Sequence, residues 1–338
     1  MLPVGHASER TARTVLSMTS KDAHRTCEIE RATAWKASTP TLSDDERVDA
    51  PYIKANGTIG KKAYSFCLPV DSARKNLLPE VRDFGIDLFD NLKIPWHAGK
   101  DGGPGNHLLS SQVQCVNALG QMVIDPQRIV AAFGPALGTA SVHEIEEDRW
   151  LTFEYIGEHD VLGEAKNGVR RRGTQCTSVD AAFLHTTTDG VRELVLVEWK
   201  YIEQYRKRDD DPAGDATRRA RYQHLVDAPD GPIHGDKLEF DELLQEPLYQ
   251  LMRQQLLAHE LEKAGAHGVD RVRVAHVLPP ANVGYQRSLY GSGAKALGGT
   301  VDEVWQQLLR HTDRFVHIDP AVFLDPAVTS AEYVARYG

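Results

Sequence analysis

Two runs of strand-forming residues, 178–186 and 191–201, flank a short polar break that contains Asp189-Gly190. β-Branched and aromatic residues favour the pleated strand and Asp-Gly favours a tight reversal, so the pattern predicts a hairpin. A three-residue loop over 188–190, with Gly190 in the left-handed conformation, sets Thr187 opposite Val191. Counting back then sets Asp180 opposite Glu198. Side chains alternate along a strand, so Asp180, Glu198 and Lys200 share a face with Ala182, Leu184, Leu194 and Leu196. Val179, Ala181, Phe183, Val195, Val197 and Trp199 fill the other. A two-residue loop would oppose Asp180 to Trp199 and turn the acids apart.

The same reading extends along the chain. Residues 107–119 repeat apolar positions at helical spacing (Leu108, Leu109, Val113, Val116, Leu119). Residues 150–156 alternate like a first strand. Residues 246–264 form the strongest helical pattern, with Pro247 in its first turn and Gln250 and Gln254 on one side. A strand over 270–278 ends at Pro279-Pro280. A helix over 300–311 and a short strand over 315–318 follow. Upstream, 63–69 reads as a strand and 72–91 as one or two helices. Residues 1–50 are polar with little periodicity and read as a flexible or loosely packed extension, in which Met18 is a second candidate start. Residues 51–106 read as an elaboration packed on a core domain spanning 107–338.

Composition narrows the class. The 338 residues are 41 % hydrophobic and 26 % charged, ordinary values for a globular chain. The net charge is −9, so any nucleic-acid contact must come from local basic patches. Cys27, Cys67, Cys115 and Cys176 are scattered without a CxxC pair, which speaks against a cysteine zinc site and fits a reducing, cytoplasmic setting. No apolar run is long enough for a membrane span, and the N-terminus lacks the apolar core of a secretory signal. The fourteen histidines show no ligand spacing. His259-Glu-Leu-Glu-Lys263 is not the zinc-protease pattern, and the glycine-rich stretch 291–299 lacks a P-loop's spacing and reads as a mobile loop.

Acids in apolar strands need a reason. Two adjacent carboxylates repel unless a cation neutralises them. Hard oxygen ligands suit Mg²⁺ or Mn²⁺, and Lys200 on the same face would orient or deprotonate a water or steady a phosphate oxygen. Asp180, a hairpin, and then Glu198-Trp199-Lys200 resemble the active site of the PD-(D/E)xK nuclease superfamily, with Val179 where the family often has proline. The resemblance implies a restriction-endonuclease-like fold: an αβββαβ core with a mixed central sheet flanked by helices, here with additions at both ends. It also implies that Asp180, Glu198 and the Trp199 carbonyl hold Mg²⁺ or Mn²⁺, that Lys200 assists the water, and that Gln250 on the following helix supports the site. A residue on or near the first helix completes the metal site in some members; Gln112 is the candidate here, with Glu144, Glu154 and Glu158 competing.

Basic residues supply candidates for DNA contact. Lys166, Arg170, Arg171 and Arg172 precede the Asp180 strand in a glycine-flanked loop, and Arg218, Arg219, Arg221 and Tyr222 form a second cluster suited to gripping a backbone and stacking a base. Arg253 is a further phosphate partner. Trp96 and His97 would line a cleft or anchor a loop. The expected activity is a metal-dependent deoxyribonuclease, an endonuclease of restriction, defence or DNA-processing type, and cutting two strands would suit a homodimer. One rival reading is a non-catalytic nucleic-acid-binding or scaffolding protein that retains the fold. A two-carboxylate sugar hydrolase is disfavoured, because Lys200 would keep Glu198 ionised and a poor general acid.

Overall fold

The computed structural model describes residues 22–174 and 176–338; expectations for residues 1–21, Met18 among them, lie outside these. Ala23–Ser38 forms helix α1, and Ala50–Ile53 and Ile59–Tyr64 pair as a two-stranded ribbon, β1 and β2. Pro79–Asn91 is α2, Ser111–Leu119 α3 and Pro126–Leu137 α4. The main sheet is built from Thr139–His143 (β3), Leu151–Tyr155 (β4), Val179–Thr187 (β5), Arg192–Trp199 (β6), Arg271–Val277 (β7) and Phe315–Ile318 (β8). Helices Pro212–Val226 (α5) and Leu248–Lys263 (α6) lie between β6 and β7, Val301–Leu308 (α7) precedes β8, and Ala331–Tyr337 (α8) follows it.

The hairpin of β5 and β6 is the sheet's centre. Its ladder runs from Ala181 opposite Val197 to Thr186 opposite Arg192. The loop closes with Thr187 N donating to Val191 O at 2.9 Å and Gly190 N to Thr187 O at 3.0 Å. Gly190 sits at φ +86°, a region that disfavours side chains and that a three-residue loop requires. The expected register therefore holds, and continuing it sets Asp180 opposite Glu198.

Both β3 and β4 pair antiparallel with β5, β4 along its first half and β3 along its second. β7 and β8 continue the sheet in parallel from β6. Parallel strands need long crossovers, and α5 with α6 and then α7 supply them. The sheet is thus mixed and six-stranded, with helices on both faces. Phe183, Val195, Val197 and Trp199 pack toward α2, α3 and α4; Leu184, Leu194 and Leu196 pack toward α5, α6 and α7. At the start of β5 the division slips. Val179 joins Tyr155 in the second cluster instead of the first, next to Glu154, whose φ of +47° breaks the alternation of β4.

Several sequence expectations change here. From Ala23 onward the N-terminal segment is packed, not loose: Ala32 and Trp35 enter the same core as α3 and β6. Lys36 donates to the carbonyls of Val48, Ser65 and Cys67 at 2.7, 3.0 and 2.6 Å. Helix α1 buries His24, Glu28 and Lys36 alongside its apolar residues, so a polarity pattern cannot reveal its inner face. The strand expected over 63–69 is shorter and earlier, at Ile59–Tyr64. α4, α5 and the edge strand β3 interrupt the expected helix–strand order; β3 reads Thr-Ala-Ser-Val-His and carries no apolar stripe to announce it. The stretch around 291–299 contains a packed helical turn, with Gly293 N and Ala294 N donating to the Glu242 carboxylate at 3.0 and 2.7 Å, and is not a free loop. Among the described residues no helix is long and apolar enough to cross a membrane.

The loop geometry makes a test. Gly190→Ala is expected to destabilise the chain by about 1 kcal/mol in urea titrations, because the left-handed backbone opposes a Cβ. Gly190→Asn should cost clearly less, since asparagine tolerates that region. Equal losses in both variants would mean that the loop is closed in some other way.

Candidate active site

Three acids lie in one row across the sheet. β4 pairs with β5 so that Thr152 faces Ala182 and Tyr155 faces Val179; the same register sets Glu154 beside Asp180, and Glu198 flanks Asp180 on its other side. They line an open cleft of about 550 Å³ together with Pro95, Trp96, His97, Gln112, Lys200, Tyr205 and Gln250. Glu154 holds a left-handed backbone, φ +47°, uncommon for a residue with a side chain and typical of sites where geometry is imposed.

Each group in the row has defined partners. Asp180 Oδ2 accepts from the Trp199 backbone N–H at 2.7 Å, which ties the carboxylate to the strand that carries Glu198. Glu154 accepts from Ser178 Oγ at 2.7 Å and from Gln112 Nε2 at 3.4 Å. Gln112 is itself held by His97 N, donating at 2.8 Å, and by the Pro95 carbonyl at 3.2 Å. Lys200 is buried, with its Nζ 2.5 Å from Glu198 Oε1 and 2.7 Å from Gln250 Oε1. The other oxygen of Glu198 accepts from Gln254 Nε2. Two glutamines one helical turn apart on α6 thus brace the lysine and the glutamate of β6. The Trp199 side chain points the other way and donates to Gln114 Oε1 at 2.9 Å.

Electrostatics in the cleft follow from this crowding. Burial pushes the Asp180 carboxyl well above its usual range, and the neighbouring Glu198 and Glu154 push it further. Glu154 is likewise raised, first by burial, with Glu198 adding to it against the hydrogen bond from Ser178. Burial alone would lower Lys200, but Glu198 beside it prevails and holds its ammonium well above the ordinary value. One lysine therefore compensates Glu198, while Asp180 and Glu154 form no side-chain ion pair among the described residues. The three carboxylates do not close on a point: their oxygens do not all lie within 4.8 Å of one another.

The structure places Asp180, Glu198, Lys200, Gln250 and Trp199 along one cleft. Gln112 and Glu154 both reach the cleft, the first holding the second. Glu144 and Glu158 are exposed and outside it. Gln254, the direct partner of Glu198, was visible in the sequence only as a helical neighbour of Gln250. Trp96 both lines the cleft and anchors it, stacked on Phe89 with ring centroids 3.9 Å apart.

The basic clusters divide. Arg170 donates to the carbonyls of Ile156, Gly157 and Glu158, and Arg172 to Thr152 Oγ1, the Phe153 carbonyl and Glu146. These two guanidiniums hold the 157–174 loop onto β4 and are not free for phosphate. Lys166 and Arg171 remain exposed; with Lys93 they line a second hollow of about 560 Å³ that shares Pro95 with the cleft. In the other cluster, Tyr222 is 1 % exposed and donates to Glu164, so it cannot stack on a base. Arg218 pairs with Asp211 and Asp215 at 3.0 and 2.8 Å, Arg219 pairs with Asp241, and Arg221 lies over the Tyr222 ring. Arg253 lies over Tyr249 and reaches Thr177 Oγ1 at 3.5 Å.

A mixed six-stranded sheet between helices, with an acidic cleft at one end of its central hairpin, agrees with the restriction-endonuclease-like class. The chain belongs to the family described as Restriction Endonuclease associating with ARP, whose model matches residues 29–338. No curated protein and no solved structure matches it.

Crowded acids have a cost that can be measured. Asp180→Asn is expected to stabilise the protein without added metal by on the order of 1 kcal/mol at neutral pH, read as a higher melting temperature. A raised folded-state pKa means that stability is full below the ordinary carboxylate range and is lost as pH rises through the raised value. The asparagine gain should therefore grow with pH and vanish in acid. A gain that is independent of pH would contradict the electrostatic account.

Proposed function

We propose that the protein is a metal-dependent deoxyribonuclease of PD-(D/E)xK type, cutting DNA internally in a restriction, defence or DNA-processing role. The observation that carries this reading is the arrangement around Asp180: a carboxylate flanked by two others, with the buried Lys200–Glu198 pair beside it, at the floor of an open cleft. Membership in a restriction-endonuclease family supports it.

The donor set fits Mg²⁺ or Mn²⁺. The oxygens are hard, Asp180 and Glu154 form no side-chain ion pair among the described residues, and such ions take one or two carboxylates while keeping waters for the rest. Asp180 and Glu198 would hold the ion, with Glu154 and the Trp199 carbonyl as further oxygen donors. When bound, the ion supplies charge stabilisation at phosphorus and a more acidic water.

The chain's own residues do the rest. Lys200, held protonated by Glu198 and positioned by Gln250, acts as a cation and hydrogen-bond donor toward a phosphate oxygen, not as the base. Gln254 holds the second oxygen of Glu198, so that the carboxylate is oriented from both sides. Gln112 and Ser178 orient Glu154. Lys166 and Arg171, with Lys93, extend a positive margin from the cleft along which a phosphate backbone would run.

The test is cleavage of supercoiled and single-stranded DNA with Mg²⁺ or Mn²⁺. Asp180→Ala and Lys200→Ala should each lower the rate by about 10²–10³-fold or more with folding intact. Activity that survives both substitutions would place the chemistry elsewhere. Arg171→Ala should weaken DNA binding and reduce the slope of log affinity against log salt by about 1. Tyr222→Phe should leave DNA affinity unchanged, because the ring is enclosed; a tenfold loss there would restore it as a contact.

A further inference from the structure

His276 and His317 are direct partners in the parallel ladder of β7 and β8, so their imidazoles leave the sheet side by side, with ring centroids 5.4 Å apart. Asp302, in the first turn of α7, reaches the same place: its Oδ1 lies 3.1 Å from His317 Nε2. One ligand atom from each of the three residues lies within 4.8 Å of the other two, a convergence that no other trio of His, Cys, Asp or Glu attains among the described residues.

Two independent features point to a ligand here. His276 is 0 % exposed, yet its Nδ1 has no hydrogen-bond partner, while its Nε2 meets the Tyr285 hydroxyl at 3.2 Å. A buried polar atom without a partner is rare and unfavourable. An imidazole with one nitrogen held by the protein and the other unsatisfied is in the state that metal-binding histidines adopt. Asp302 is also held in place: its backbone N–H donates to Gln286 Oε1 at 3.1 Å, and Gln286 Nε2 donates back to Asp302 Oδ2. That clamp leaves Oδ1 turned to the histidines.

We propose that His276, Asp302 and His317 form a site for a borderline transition-metal ion of the Zn²⁺ type, separate from the carboxylate cleft. Two imidazoles and one carboxylate match the preference of such ions, whereas Mg²⁺ selects oxygen. The side chains of His317 and Asp302 are 36 % and 33 % exposed, so an ion enters from solvent with His276 closing the inner side, and water takes the fourth position. The ion would pin β7, β8 and the start of α7 together. His276 is also the ladder partner of Glu198, so this anchoring bears on the strand next to the cleft.

The experiment is a titration of the full chain with Co²⁺, whose tetrahedral complexes absorb in the visible, followed by displacement with Zn²⁺. It is run on the wild type, His317→Ala, Gln286→Ala and Asp180→Asn, each checked for folding by circular dichroism. The expected result is a tetrahedral Co²⁺ signal that Zn²⁺ bleaches, kept in Asp180→Asn and lost in His317→Ala, where Zn²⁺ affinity falls about 100-fold; Gln286→Ala should weaken it by about tenfold. His317 and Gln286 are not fully buried, so their replacement tests ligation apart from folding. No signal in the wild type, a signal that survives in His317→Ala, or one lost in Asp180→Asn would each overturn the proposal. The last outcome would assign the ion to the cleft and leave the nuclease reading untouched.

Discussion

The cleft depends on a single register. With Gly190 able to turn left-handed, β5 and β6 pair so that Asp180 falls opposite Glu198; a slip of one residue would send every side chain of one strand to the other face. The apolar residues enforce the choice. Phe183, Val195 and Val197 must meet α3 and α4, while Leu184, Leu194 and Leu196 must meet α6. The core and the site are therefore one constraint: the burial that stabilises the hairpin also crowds its acids.

That crowding is tolerated because each neighbour is braced from outside the hairpin. α6 supplies Gln250 to Lys200 and Gln254 to Glu198; the 111–112 turn of α3 supplies Gln112 to Glu154. A buried ion pair is worth little net stability unless its remaining donors and acceptors find partners, and here Gln250 and Gln254 supply one to each member of the pair. The N-terminal helix adds a further brace just past the site, where His24 Nε2 meets the Tyr201 carbonyl at 2.9 Å and Glu28 accepts from the Tyr201 hydroxyl at 2.8 Å. A segment whose sequence resembles a tail thus helps hold the end of β6.

Charge in the flanking loops illustrates why composition misleads about contacts. Eight basic or aromatic residues stood out as a binding surface, yet Arg170, Arg172, Arg218 and Arg219 are engaged with carbonyls or carboxylates, and Tyr222 is enclosed. An arginine has five donors and a long apolar stem, so it satisfies loop backbones as readily as it meets phosphate. Only a folded loop decides between the two, and here it leaves Lys166 and Arg171 outward.

Periodicity, turn chemistry and the order of acids along two strands were enough to determine the hairpin, its register, the helix bearing Gln250 and the alignment of Asp180, Glu198 and Lys200. These are local properties, set by alternation at a period of two and by one glycine. Everything that joins distant segments belonged to the tertiary structure. Glu154 became the third acid because β4 pairs on the far edge of β5. α1 entered the core although its inner face mixes charged with apolar residues. His276 and His317, which show no spacing in the chain, met because parallel strands β7 and β8 align them, and Asp302 joined them from the first turn of α7. Parallel register is fixed by how the crossover helices pack, and no short window of sequence contains that information.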